Sequence, residues 1–170
     1  MFIDEFGATT KMTRRYARGP RGQRVVCKTP HGHWKILTTI AALDLNGIRT
    51  ACCFDGATDT EMFVAFVETF LLPKLKTGQI VVMDNLSAHK SPRVDHLIES
   101  VGARVLRLPP YSPDFNPIEM AISKMKSLLR KLARRSMEDL ETAIGMAMQT
   151  ITADDARGFF THCGYVATSA

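Results

Sequence analysis

Three acidic residues stand where a carboxylate is expected to do chemistry rather than to face solvent. Asp4 lies inside an apolar run at the start of the chain, Asp84 follows the most apolar run, and Glu119 lies near the start of a predicted helix. Oxygen ligands of this kind suit Mg²⁺, which is often shared with phosphate oxygens. A pair of such ions can activate a water or hydroxyl on one side of a phosphorus atom and stabilise the oxygen that leaves on the other. Carboxylates clustered without a cation would repel one another, so a cluster of these three would imply a metal.

The same positions also have structural interpretations. Asp4 could cap a turn, and Asp84 with Asn85 could simply open a turn after a strand. Asn85 could instead orient Asp84 or a phosphate. The segment 116–119 (Asn-Pro-Ile-Glu) has an N-cap residue, a proline at the first helical position and an acid two residues later, which would make a capping box. His89 could contact phosphate or an attacking water, or could be a surface or capping residue.

Periodicity and turn signals predict the elements that must position these residues. Asn46-Gly47 between two β-prone runs is a strong hairpin signal. Apolar spacing at Met62, Phe63, Phe66, Val67 and Phe70 predicts a helix that begins near Thr58 and stops at Pro73. The predicted strands span 2–6, 35–45, 48–54, 79–83 and 103–108, and the predicted helices span 59–72, 92–100, 117–134 and 136–151. This order predicts an α/β domain in which helices pack on a mixed sheet.

Composition fits one globular domain. The chain has 170 residues, of which 45% are apolar and 23% charged, so disorder, collagen and coiled coil are excluded as descriptions of the whole chain. No run approaches the ~18 apolar residues of a membrane span, and the N-terminus has no secretory signal. We therefore expect a cytoplasmic protein with no membrane partner. The four cysteines include no C-x-x-C pair, which favours reduced thiols over a zinc site or disulfides.

Positive charge is concentrated in two segments. The net charge is +5, and 13 of the 22 basic residues lie in 9–31 and 120–137, which contain no acid. Residues 9–33 also read as a long loop or arm, which is longer than an ordinary connection. The clustering indicates a polyanion such as nucleic acid, although two solvated faces would look the same. The candidate DNA contacts are Arg14, Arg15, Arg18, Arg21, Arg24, Lys124 and Lys131.

The spacing of the motifs resembles the catalytic domain of DDE transposases of the IS630 and Tc1/mariner group. The segment 111–119 (Tyr-Ser-Pro-Asp-Phe-Asn-Pro-Ile-Glu) is similar to the family segment that carries the last catalytic acid, about 34 residues after the second one. Residues 83–89 resemble the D-N-x-x-x-H segment, and residues 2–5 resemble the first catalytic strand. Residues 18–23 match the G-x-x-G pattern between them. The resemblance covers essentially the whole chain.

The resemblance implies a ribonuclease H-like fold, with a mixed central sheet flanked by helices, and a single catalytic domain over residues 1–170. It implies that Asp4, Asp84 and Glu119 bind two Mg²⁺ or Mn²⁺ ions, with Asp4 and Asp84 on one ion and Glu119 on the other. We expect Asn85, His89 and Asn116 to lie beside these acids. The basic stretch 9–31 corresponds to an arm toward a partner subunit and DNA.

The implied function is metal-dependent DNA strand cleavage and strand transfer during DNA transposition. The implied partners are transposon ends, target DNA and a second copy of the chain on DNA. Relatives usually carry N-terminal helix-turn-helix units, which we expect to be absent here. The chain could be a fragment, a second reading frame joined by frameshifting or a decayed copy, and a separately encoded helix-turn-helix region is a candidate partner. Two alternatives stay open: a decayed or repurposed domain that binds DNA without chemistry, and another ribonuclease H-like nuclease, such as one that cleaves RNA/DNA hybrids.

Overall fold

The computed structural model describes residues 1–110 and 112–166. Tyr111, the first residue of the motif 111–119, lies outside the described residues. A five-stranded sheet forms the centre of the molecule, in the order β3-β2-β1-β4-β5. Its strands are β1 (Phe2–Thr9), β2 (Ile36–Asp44), β3 (Gly47–Asp55), β4 (Ile80–Met83) and β5 (Arg104–Arg107). β1, β2 and β3 are antiparallel neighbours, whereas β4 and β5 run parallel to β1. The predicted mixed α/β class is confirmed.

The hairpin β2–β3 turns where the sequence predicts it. Gly47 has a φ of 107°, a conformation that an L side chain rarely adopts. The backbone N–H of Asn46 donates to Asp44 Oδ1 at 2.7 Å, which closes the turn. A Cβ at position 47 would also lie 2.7 Å from the carbonyl oxygen of Ile151. Glycine is therefore required here both by the turn conformation and by the close approach of the backbone at Ile151.

Five α-helices cover the two faces of the sheet: α1 (Thr60–Phe66), α2 (Pro92–Ser100), α3 (Pro117–Leu132), α4 (Met137–Gln149) and α5 (Ala153–His162). Alternation along β1 divides the apolar residues between two cores. Ile3 packs with α1 and α2, and Phe2 and Phe6 pack with α3, α4 and α5. None of the helices in residues 1–110 and 112–166 combines the length and apolarity needed to cross a membrane.

The helix predicted over 59–72 is wrong in its details. Its N-cap is Asp59 rather than Thr58, because the Asp59 side chain accepts a hydrogen bond from the Met62 N–H at 2.8 Å. The α-helix ends at Phe66, and the chain continues as a π-helical turn (Val67–Leu71) and a 3-10 turn (Leu72–Lys74). Pro73 is accommodated because it lies at the start of that last turn, where no backbone donor is needed.

Helix α5 is an element that the sequence analysis missed. The predicted last helix, 136–151, ends at Gln149, and the chain starts a new helix after Thr152. Thr152 and Asp155 form a reciprocal capping box, in which Thr152 Oγ1 accepts from the Asp155 N–H at 3.1 Å and Asp155 Oδ2 accepts from the Thr152 N–H at 3.0 Å. The signal was therefore present in Thr-Ala-Asp-Asp, but it lay too close to the preceding helix to be separated from it.

Residues 10–35 form an arm between β1 and β2 that has no regular secondary structure. Its two ends are joined at the base, where the Thr10 N–H donates to the Lys35 carbonyl at 3.2 Å. Lys11 Nζ lies 4.0 Å from the centre of the Trp34 ring. Arg135, after α3, donates to the carbonyls of Thr10 and Met12, each at 2.9 Å. The arm is thus fixed at its base, while residues 14–29 are exposed.

Candidate active site

The sheet brings two of the predicted acids to the same level. The parallel register of β1 and β4 pairs Phe2 with Val82. Asp4 lies two residues after Phe2, and Asp84 lies two residues after Val82. The two acids are therefore side by side across the sheet, at the end of β4. Side chains two positions apart on a strand share a face, so Asp4 points, like Phe2, to the side that α3 covers. An acid on this face is positioned to meet α3.

Helix α3 supplies the third acid. Glu119 is its third residue and is exposed, and Pro117 occupies the first position, where the missing N–H is not needed. Asn116 occupies the N-cap position, but its side chain makes no capping bond. Instead, Asn116 Nδ2 donates to Asp4 Oδ2 at 2.8 Å. The capping-box interpretation of 116–119 is wrong, because the side chain that would close the box is used to hold Asp4.

All three acids line one pocket of about 450 Å³. The end of β4 and the segment that connects β5 to α3 form its other walls. The remaining lining residues are Asn85, Leu86, Lys90, Leu108, Pro109, Pro110, Ser112, Pro113 and Asn116. Within residues 1–110 and 112–166, no three His, Cys, Asp or Glu side chains are arranged to ligate a single ion. The acids therefore share a pocket without forming a closed cage of ligands.

Asp4 is the buried acid of the three, with 7% of its surface exposed. Burial is the main cause that raises the pKa of Asp4 from an ordinary value near 3.8 to about 7; the charges of Glu119 and Asp84 act in the same direction, and a hydrogen bond from the Glu5 N–H opposes them. Asn116 Oδ1 is also buried and has no hydrogen-bond partner in the described structure. Unbalanced negative charge beside an unused oxygen acceptor is the environment that a bound cation would relieve.

Asp84 is held by the turn that follows it. Its Oδ1 accepts hydrogen bonds from the Leu86 N–H at 2.9 Å and from His89 Nδ1 at 2.6 Å. Burial alone would raise the pKa of Asp84, but these hydrogen bonds and the charges of His89 and Lys90 hold it below its ordinary value. His89 is fully buried, so the surface interpretation of this histidine is wrong. Asp84 is the acid whose ionised form the protein stabilises.

Asn85 joins the ends of two strands instead of contacting Asp84. Its Nδ2 donates to the carbonyl of Leu108, which fixes the end of β4 against the segment after β5. Lys90 is a cation in the pocket lining that the sequence analysis did not single out. Its position directly after His89 in the D-N-x-x-x-H segment was the available signal.

A second, basic groove of about 680 Å³ lies between the arm and α3. Its cations are Arg14, Arg15, Arg18, Arg130 and Lys131, and no acid of the described part of the chain lines it. This groove brings together four of the predicted DNA contacts, Arg14, Arg15, Arg18 and Lys131. Arg21 and Arg24 lie elsewhere on the exposed arm.

Lys124 is engaged in a structural contact. Its Nζ lies 2.6 Å from Asp155 Oδ2 and 3.1 Å from the carbonyl of Thr150. The side chain thereby joins α3 to the start of α5, and it is not part of the basic groove.

The fold is similar to that of solved transposase structures. A pre-cleavage Mos1 transpososome matches with a TM-score of 0.77 at 15% identity, covering 96% of this chain and 52% of that chain. The Mos1 mariner paired end complex with Mn matches with a TM-score of 0.72 at 17% identity, with the same coverage. The catalytic domain of Mos1 mariner transposase gives 0.64 at 16% identity, covering 96% of this chain and 76% of that chain. The predicted ribonuclease H-like fold is confirmed, and the chain spans about half the length of the Mos1 chains in the two complexes.

Family membership follows from the sequence. No curated protein matches the chain significantly. The model of the family described as "DDE superfamily endonuclease" matches residues 1–144. This range contains Asp4, Asp84 and Glu119 and includes the whole sheet. The chain therefore belongs to the family of DDE superfamily endonucleases.

Proposed function

We propose that this chain is the catalytic domain of a transposase, which cleaves and joins DNA strands with the help of divalent cations during DNA transposition. The observation that carries the proposal is the convergence of Asp4, Asp84 and Glu119 on one pocket from β1, the end of β4 and the start of α3. The Mos1 structures support it, since they include paired end complexes with Mn and with Mg.

The donor set fits Mg²⁺ or Mn²⁺ better than a metal that needs a closed site. Mg²⁺ keeps several waters and typically uses one or two carboxylates together with phosphate oxygens of the substrate. A pocket that three carboxylates line without forming a cage leaves room for both the waters and the phosphate oxygens. Asp4 and Asp84 would hold one ion, Glu119 would hold the other, and Asn116 Oδ1 offers a further oxygen.

The reaction consists of two displacements at phosphorus. The bound cations would supply an activated nucleophile and neutralise charge on the phosphate. In the first displacement, water breaks a phosphodiester at the transposon end and frees a 3′-hydroxyl. In the second, that hydroxyl attacks a phosphodiester of the target strand, forms a new phosphodiester and displaces the target's own 3′-hydroxyl. The chain's own contribution is to position oxygens: Asn116 orients Asp4, and His89 with the Leu86 N–H orients Asp84.

The basic groove would hold the DNA backbone beside the pocket. Its five cations come from two elements, the arm and α3, and would contact phosphates without reading the sequence. Arg21 and Arg24 would extend this contact along the arm. We also propose that the chain acts as a homodimer on DNA, and that a helix-turn-helix region reads the transposon ends.

The test is a cleavage assay on supercoiled plasmid with Mg²⁺ or Mn²⁺. Asp84→Asn should lower the nicking rate at least about 1,000-fold, because it removes several kcal/mol of transition-state stabilisation supplied through the cation. Asp154→Asn is the matched control, since Asp154 is an exposed acid whose ion pair within the described residues is with the exposed Arg157. Cleavage that survives Asp84→Asn would remove this pocket from the mechanism. If the chain cleaved an RNA/DNA hybrid in preference to duplex DNA, the result would favour the alternative of a ribonuclease H-like nuclease that acts on hybrids.

A further inference from the structure

We propose that Arg107 and Asp95 are positioning residues that act through His89 on Asp84. Together, Asp95, Arg107 and His89 form a chain of contacts, here termed the Asp84 relay, that fixes one oxygen of this carboxylate and leaves the other toward the pocket. The inference rests on the proposed function of the pocket. It concerns residues that lie behind the pocket: Arg107 and Asp95 do not line it.

The first contact is between His89 and Asp84. An ionised carboxylate can only accept hydrogen bonds, so His89 must donate to it from Nδ1, over 2.6 Å. The His89 ring packs against Phe63, with 4.1 Å between ring centres, and has no exposed surface. Its Nε2 is buried and has no partner among the described residues. The ring therefore has one polar contact, and that contact is with Asp84 Oδ1.

The second contact fixes the backbone that carries His89. This residue lies in a short 3-10 turn, Ser87–Lys90, whose own N-cap makes no side-chain hydrogen bond. Arg107 Nη2, from the last residue of β5, donates to the His89 carbonyl at 2.8 Å. This contact holds the His89 backbone directly, in addition to the Asp84 hydrogen bonds and the packing of the ring against Phe63.

The third contact fixes Arg107. Its Nη1 and Nη2 donate to the two oxygens of Asp95 on α2, at 3.1 and 2.6 Å. Two parallel hydrogen bonds hold the plane of a guanidinium group, which a lysine ammonium cannot reproduce. The arginine therefore joins β5, α2 and the His89 turn, and both of its partners lie on elements that do not carry a pocket acid.

The relay restricts rotation of the Asp84 carboxylate. With Oδ1 held by the relay and by the Leu86 N–H, the carboxylate cannot rotate to exchange its oxygens. Asp84 Oδ2 receives no protein hydrogen bond within residues 1–110 and 112–166, and Asp84 lines the pocket. Groups that orient a ligand in this way typically change metal affinity 10- to 100-fold when they are removed.

The first experiment compares His89→Leu with His89→Asn in the full chain. Asparagine and leucine have nearly the same shape, but only asparagine can place an N–H donor near the position of Nδ1. Mn²⁺ affinity is measured by electron paramagnetic resonance, with thermal unfolding to confirm that both variants fold. We expect His89→Leu to weaken Mn²⁺ binding about 10- to 100-fold and His89→Asn to restore most of it. Equal affinity in the two folded variants would overturn the proposal.

The second experiment separates the relay from general stabilisation. Arg107→Lys keeps the charge but loses the paired hydrogen bonds, and Arg93→Lys is the control, because Arg93 lies on α2 and pairs with Glu61 and Glu68 instead. We expect Arg107→Lys, but not Arg93→Lys, to weaken Mn²⁺ binding severalfold and to broaden the His89 Nδ1–H proton resonance through faster exchange. An unchanged resonance in Arg107→Lys would overturn the relay.

These measurements do not depend on DNA cleavage. Mn²⁺ binding without nicking would contradict the proposed function and leave the relay standing. If the wild-type chain bound no Mn²⁺, the proposed function would fail, and the His89 resonance would still decide whether Arg107 controls the contact with Asp84.

Discussion

The active-site pocket and the arm are both proposed to contact DNA, but they differ in burial and in regular structure. In the pocket, Asp4 and His89 are buried, and each makes a specific hydrogen bond to a partner from the motif segments. In the arm, residues 14–29 are exposed and have no regular secondary structure. The pocket is built from three elements of the fold, whereas the arm is fixed only at its base.

The difference follows from what each region must recognise. Positioning a cation and a phosphorus atom requires oxygens held within fractions of an ångström, which rigid elements provide. Holding a DNA backbone requires positive charge near phosphates, and this interaction is long-ranged and tolerant of geometry. The pocket is therefore expected to be sensitive to single atoms, and the arm to the number of its charges.

The largest effect is expected from Asp4→Asn on stability without metal. The raised pKa of Asp4, about 7, means that between pH 4 and 7 the unfolded chain has released a proton that the folded protein retains. Stability of the wild type should therefore fall as the pH rises through this range, by up to about 4 kcal/mol. Asp4→Asn should lack this fall and be more stable at pH 8 in a chelator, as measured by urea unfolding.

Mg²⁺ provides the control for this prediction. Adding it at pH 8 should stabilise the wild type by binding the folded state, and should have little effect on Asp4→Asn. If the free energy of unfolding changed with pH in the same way for both proteins from pH 4 to 8, the pKa of Asp4 would not be raised as its surroundings indicate.

A smaller effect is expected from removing charge in the arm. The triple substitution Arg14, Arg15 and Arg18→Ala should weaken binding to non-specific duplex DNA and lower the slope of log affinity against log salt by about 2 to 3. Stability should stay nearly constant because all three side chains are exposed. Fluorescence anisotropy between 50 and 200 mM salt measures the slope.

The matched control removes the same charge elsewhere. Three exposed cations lie near the starts of β4 and β5, at the end of these strands away from the pocket: Lys74, Lys76 and Arg104. Replacing these three by alanine should leave the slope almost unchanged. If both triple variants gave the same slope, net charge rather than the groove would govern binding.

The smallest effect is expected from Lys124→Met. The pair with Asp155 joins α3 to α5 and holds the pKa of Asp155 near 2 through the Lys124 hydrogen bond, with help from Thr152. A lowered carboxyl pKa stabilises the fold above pH 4, and this stabilisation is lost as the pH falls toward 2. Lys124→Met should lower the melting temperature by less than about 4 °C at pH 7, with a smaller difference at pH 2.

The same variant also tests whether Lys124 contacts DNA. Because Lys124 is committed to Asp155, its loss should not change the salt slope of DNA binding. A slope lowered by about one would return Lys124 to the set of DNA contacts.

Local patterns in the sequence predicted the corresponding structure well. Asn46-Gly47 predicted the hairpin because a two-residue turn needs particular backbone angles, and Pro117 marked the start of α3 for a similar reason. The long sequence separation of Asp4, Asp84 and Glu119 was bridged by the family resemblance rather than by the residues themselves. Their roles in the reaction remain predictions.

What was missed depends on contacts between distant elements. His89 gave no sign of burial, because its burial is produced by Phe63 from α1. Lys124 belongs to a basic segment by composition, but its acid partner lies 31 residues later. Arg107 is an unremarkable strand residue until α2 places Asp95 beside it. Periodicity identifies which face of an element is buried, but not which polar groups meet there.

The side chain at position 116 has consequences for how this sequence can vary. At an ordinary helix start, serine, threonine, aspartate and asparagine are nearly interchangeable. Here aspartate would add a fourth carboxylate to the pocket, next to Asp4, and serine would be too short to reach Asp4. Homologues that retain a working pocket should therefore accept asparagine alone at this position, even where a different residue would make the better helix.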